Sequence, residues 1–81
     1  MKITRNSIQK AIENNDIGNF KTLCPEGYCA TGPAKAGNLE MVKHVLEDKK
    51  GFFNKYSLEW AEKNGYKHVL EYLKSMPEAM K

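Results

Sequence analysis

The residues equipped for covalent or metal chemistry are four: Cys24, Cys29, His44 and His68. Structural zinc wants four ligands, usually in close pairs such as Cys-x-x-Cys. These cysteines stand five apart, and the histidines fall in different helical segments. A Cys/His nucleophile would also need an orienting carboxylate and a pocket that shields it from water. A short helical chain offers little room for one. The thiols therefore read as small buried or half-buried groups kept reduced, and the imidazoles as packing or surface rings. The glycines do not form a phosphate-cradling loop either, because Gly37 and Gly65 each read as a turn that ends a helix. No catalytic residue, metal ligand set or cofactor is expected, so the chain does not read as an enzyme.

Binding chemistry is better represented. Tyr28 and Tyr56 open helical segments at turns, and Trp60 stands off the apolar face formed by Leu58 and Ala61. Tyrosine and tryptophan carry much of the energy of protein interfaces, each often costing about 2 kcal/mol or more when truncated. Tyr56 and Trp60 are the expected partner contacts, with Lys35, Glu59 and Lys63 beside them. Phe52 or Phe53, and Tyr72, are expected to cover the edges of a thin core.

The 81 residues, 41% of them hydrophobic, amount to a single domain with a modest core. Stability near the low end for small domains, about 5 kcal/mol, is expected. The net charge of +3 arises from 13 basic and 10 acidic residues scattered along the chain, which reads first as a solubility charge. Arg5 is the single arginine, and the bidentate guanidinium is preferred for phosphate and guanine recognition. No apolar run approaches the roughly 18 residues needed to span a bilayer. The opening residues lack the apolar centre of a signal peptide, so a cytoplasmic location is expected.

The elements that must position these groups are helical. Ile8, Ala11 and Ile12 share one face of a helix over residues 7–14, with Ser7 as its N-cap. Asn14-Asn15-Asp16 makes a tight turn into a second helix over residues 17–23. Pro25-Glu26-Gly27 turns the chain again. Gly32 and Pro33 confine the next helix to a very short one that starts at Pro33 or slightly before and closes at Gly37. A helix over residues 39–48 follows, with apolar residues at 39, 42, 45 and 46. After an unusually apolar connector, Ser57 is placed to cap a helix that ends at Gly65. The last helix, from Lys67 to about Ser75, buries Val69, Leu70, Tyr72 and Leu73, and residues 76–81 read as a frayed tail.

The chain also repeats itself. A shift of 28 residues aligns Tyr28 with Tyr56, Gly37 with Gly65, Val42 with Leu70 and Val45 with Leu73. A shift of 22 aligns Asn15 with Gly37, Ile17 with Leu39, Phe20 with Val42 and Leu23 with Val45. Such periods mark stacked units, none of which can bury its apolar face alone. Ala34-Lys35-Ala36-Gly37-Asn38-Leu39-Glu40-Met41-Val42-Lys43-His44-Val45-Leu46 resembles the second part of an ankyrin repeat, and the resemblance extends over about residues 7–74. The spacings are shorter than that family's 33 residues, Pro33 stands where an alanine is usual, and the Thr-Pro-Leu-His opening is absent. The resemblance implies an all-α stack of three helical hairpins, an ankyrin-like repeat solenoid, with units at about 7–27, 28–52 and 56–75. It also implies trimmed β-turn fingers and a partner meeting the inner-helix and turn surface, here Tyr28, Lys35, Tyr56, Glu59, Trp60 and Lys63.

The expected function is protein–protein interaction without catalysis, by a small regulatory or inhibitory protein that blocks a surface on a larger target. A phage or viral inhibitor is one setting for such a compact chain. Two other readings compete. Residues 11–23 can be read as a DNA-binding helix-turn-helix presenting Gly18, Asn19, Lys21 and Thr22, although one lysine is thin equipment for phosphate contacts. Tyr72, Met76 and Met80 give a partly apolar C-terminal end through which two copies could pair as a homodimer.

Overall fold

A computed structural model describes residues 5–80, with side chains from Ser7 onward. Helices are the main secondary structure of the described residues. Six α-helices follow in order: α1 Arg5–Glu13, α2 Ile17–Leu23, α3 Thr31–Ala36, α4 Leu39–Lys43, α5 Lys55–Lys63 and α6 Lys67–Lys74. Among the described residues no strand forms, and two isolated backbone bridges pair Cys29 with Phe52 and Phe53 with Met80.

The three helix–helix turns are built alike. Asn15, Gly37 and Gly65 hold left-handed backbone, with φ of 57°, 72° and 75°. In each turn the next residue's amide reaches back over the turn: Asp16 to the Ala11 carbonyl at 2.8 Å, Asn38 to Pro33 at 3.1 Å and Tyr66 to Ala61 at 2.8 Å. These bonds satisfy carbonyls that the helix end leaves without partners. The side chains of Asp16 and Asn38 then accept from the third amide of the helix that follows, on Asn19 and Met41. Asn38 also donates to the Asn15 side chain at 2.7 Å, tying the first turn to the second.

Helices pack within the pairs α1–α2, α3–α4 and α5–α6, and the two sets of alternate helices form rows. In the inner row α3 lies between α1 and α5, while in the outer row α4 touches both α2 and α6. The core runs between the rows, with Phe20, Met41, Val42, Val45, Phe53, Val69 and Leu73 fully buried. Burying each such side chain contributes roughly 1.5–3 kcal/mol.

Helix α3 begins at Thr31 because Pro33 sets the limit. In a longer helix its ring would clash with the carbonyl four residues back, at Cys29. Helix α4 continues without a break into a wider π turn, His44–Asp48, closed by the Lys49 amide on the His44 carbonyl at 3.1 Å. The chain then passes through left-handed Lys50, φ 49°, to Gly51, which donates to the Val45 carbonyl at 2.7 Å.

Three expectations are corrected. Helix α1 already includes Arg5, so Ser7 sits inside its first turn and does not cap it. Asn54, not Ser57, caps α5: its side chain accepts from the Tyr56 and Ser57 amides, while the Ser57 hydroxyl accepts from the Asn54 amide. Asparagine and serine cap about equally well, but Asn54 holds the extended backbone of a cap, with φ −132°, and Ser57 completes the capping box from inside the first turn. The segment after α6 is ordered rather than frayed, because Pro77–Ala79 forms a 3-10 turn and the Ala79 carbonyl accepts from the Phe53 amide at 3.0 Å. Lys81 lies outside the described residues.

The apolar connector has its reason in the same contacts. Phe52 exchanges backbone bonds with Tyr28 and Ala30 on one side, and Phe53, 1% exposed, meets the C-terminal segment on the other. A strand-like link laced on both sides can bury an aromatic residue without orphaning its own amides.

Candidate functional site

Helix α5 carries the face on which the expected partner contacts converge. Its buried side is set by Ser57 and Ala61. That leaves Tyr56, Glu59, Trp60 and Lys63, at i, i+3, i+4 and i+7, as one stripe on the other side. Glu59 and Lys63 are exposed, Trp60 is half-buried, and Tyr56 is 55% exposed, among the most open large apolar side chains of the described residues. The α3–α5 contact brings Lys35 onto the stripe. Its ammonium lies 4.5 Å from the Trp60 ring centre, and Lys63 approaches the same ring at 5.3 Å. Lys55, which sequence reasoning passed over, stands 5.4 Å from the Tyr56 ring. Adjacent residues rarely share a helix face, so nothing in the spacing pointed to it. Each cation–π contact at an exposed site contributes about 0.5–1 kcal/mol.

Tyr28 stands apart from this group. It precedes α3 rather than lying in its first turn, and its half-buried ring packs edge-on against Phe20 at 6.1 Å. It lines an open groove with Gln9, Cys29 and Gly32, and a second groove with Gln9, Gly32 and Lys35 adjoins it. The face is therefore led by α5, with Lys35 at its centre and Tyr28 at the far margin.

Beneath the stripe lies a polar cluster that periodicity did not reveal. The Thr31 hydroxyl is 2.8 Å from the Ser57 hydroxyl, 3.3 Å from the Asn54 side-chain oxygen and 3.1 Å from the Cys29 sulfur. Ser57 is completely buried, so its hydroxyl must be satisfied inside the protein. This cluster locks the start of α5 to the start of α3 and so fixes Trp60 relative to Lys35. An asparagine three residues before a serine was its one readable signal.

The chemically reactive groups do not assemble. Cys24 and Cys29 are free thiols, and burial pushes the Cys24 thiol above its ordinary range, against a smaller opposing effect of Lys49. His44 bonds Asp48 at 2.8 Å and packs edge-on against Phe20, while His68 reaches the Gly37 carbonyl. No group of three or more His, Cys, Asp or Glu residues able to hold a metal ion occurs among the described residues. No described helix is long and apolar enough to cross a membrane.

The residues of the competing readings are placed as follows. On α2, Asn19 bonds Asp16 at 2.8 Å and Thr22 bonds the Gly18 carbonyl at 3.1 Å, so Lys21 is the charge it offers. At the C-terminal end Tyr72 and Met76 are half-buried against the core, and Met80 is 45% exposed. The Tyr72 hydroxyl donates to Glu47. Burial first, then that bond and the negative charges of Glu47 and Glu78, raise the phenol well above its usual range.

No family model matches the chain, and neither a curated protein nor a solved structure matches it.

Proposed function

We propose that the chain is a protein-binding module, an ankyrin-like stack of three hairpins that docks on a larger protein and blocks part of its surface as a regulator or inhibitor. The observation that carries the reading is the α5 stripe: Tyr56, Glu59, Trp60 and Lys63 face outward together, with Tyr56 more than half exposed and Lys35 reaching Trp60 from the neighbouring helix. An exposed tyrosine beside a half-buried tryptophan, rimmed by charge, is the composition of an interface hot spot. The ankyrin-like part draws support from the three turns of matching construction at Asn15, Gly37 and Gly65, although their spacing is shorter than that family's. A preformed face on packed helices loses little freedom on docking.

The test is affinity capture from a lysate of the organism that encodes the chain, with nuclease present, using the wild type and a Tyr56→Ala/Trp60→Ala variant. A protein retained by the wild type and lost by the folded variant is the expected outcome. Equal retention by both would remove the α5 face from the reading, and capture abolished by nuclease would transfer it to nucleic acid.

A further inference from the structure

We infer that the Trp60 face recognises an acidic protein segment, in which an apolar side chain packs on the indole between two carboxylates that reach Lys35 and Lys63. The inference rests on the protein-binding reading and adds the chemistry of the partner. Two ammonium groups converge on one ring, at 4.5 and 5.3 Å, and among the described residues neither has a carboxylate within ion-pairing distance, the ion contact found there being His44 with Asp48. Lys63 had an alternative. Glu59 lies four residues before it on the same helix, the favoured order for an ion pair, yet Lys63 stands over Trp60 instead. Two like charges gathered at one half-buried apolar ring make a site whose repulsion an incoming carboxylate relieves.

The surrounding charge points the same way. The inner helices α1, α3 and α5 carry five basic and three acidic residues, whereas the outer helices and the π turn carry four of each. Of the two rows, only the one that bears Trp60 therefore carries an excess of positive charge. It is not a continuous basic track, because Glu59 is exposed within the stripe and Glu13 borders the groove next to Lys35. A uniform phosphate backbone would meet those carboxylates. A peptide can carry its acids at two points and a neutral residue between them, which favours an acidic protein segment over a nucleic acid.

Trp60 is the single tryptophan, so its emission reports the site directly. The probes are a synthetic peptide with a leucine flanked by glutamates, the same peptide with glutamines in their place, and an oligothymidylate of equal length. The glutamate peptide is expected to shift Trp60 emission with an affinity that falls as salt rises, and the glutamine peptide to have no comparable effect. Lys35→Gln/Lys63→Gln should weaken the glutamate peptide about tenfold, the loss expected for two exposed charge pairs. Lys21→Gln, on the outer row, should leave it unchanged. No response at low salt, equal binding of the glutamine peptide, indifference to the double lysine change, or a response to the oligothymidylate alone would each overturn the inference. Its failure is separable from that of the binding module. Capture of a protein that Tyr56→Ala/Trp60→Ala abolishes and Lys35→Gln/Lys63→Gln leaves intact would keep the face and discard the acidic partner.

Discussion

Glycines that look interchangeable in the repeat are not so in their surroundings. Gly65 has positive φ with nothing within 4 Å of a Cβ placed on it, so Gly65→Ala should cost only the left-handed backbone, about 1 kcal/mol. At Gly37 the same Cβ would lie 2.6 Å from the Tyr66 ring, which adds overpacking of about 1–3 kcal/mol. Urea unfolding of the two variants should separate them by that difference, and equal midpoints would show that Tyr66 moves aside freely. Tyr72 gives a pH signature. Its folded-state phenol titrates above its unfolded value, so its contribution is complete below about pH 10, where an unfolded tyrosine stays protonated, and is lost as pH rises beyond that. Stability measured from neutral into strongly alkaline solution should fall, with a shallower fall in Tyr72→Phe. Equal slopes would mean that neither burial nor the Glu47 contact holds the proton.

Helix α2 was legible to the residue, from the asparagine–aspartate turn to Leu23, because turn chemistry and apolar spacing agree there. Helix α5 was legible in its faces but not in its cap. Asn54 and Ser57 are both competent caps three residues apart, and only the contact with Thr31 on another helix selects between them. For the same reason the Tyr56–Glu59–Trp60–Lys63 stripe could be read from the sequence, while Lys35 reaching Trp60 depends on how closely α3 and α5 pack. The docked C-terminal segment left no trace in side-chain pattern because a backbone bond to Phe53 holds it. Asn54→Ala removes the acceptor of two α5 amides and a neighbour of the buried Ser57–Thr31 pair, and should cost about 2 kcal/mol. Asn54→Asp keeps the acceptor and should recover most of that in the same unfolding measurement. If alanine and aspartate are equally destabilising, the cap is not what anchors α5.

In the whole molecule the middle pair of helices is the part every other part needs. Helix α3 is packed on both sides in the inner row and α4 on both sides in the outer row, whereas the first and last pairs each have one neighbour. No pair closes a core by itself, since Phe20 of α2, Val42 of α4, and Val69 and Leu73 of α6 belong to one continuous buried cluster. Damage at the centre should therefore be felt at both ends. Val42 is completely buried, and Val42→Ala should cost about 2 kcal/mol, a large part of the roughly 5 kcal/mol expected for so small a domain. The loss should appear equally in two probes of urea unfolding: far-ultraviolet circular dichroism, which sums all the helices, and Trp60 emission, which reports α5 alone. Coincident curves displaced together to lower urea would show one cooperative unit. A Trp60 curve left at the wild-type midpoint while the helical signal moved would mean that the last pair stands without the middle one. The Tyr56–Trp60 face would then owe its geometry to α5 and its cap rather than to the stack.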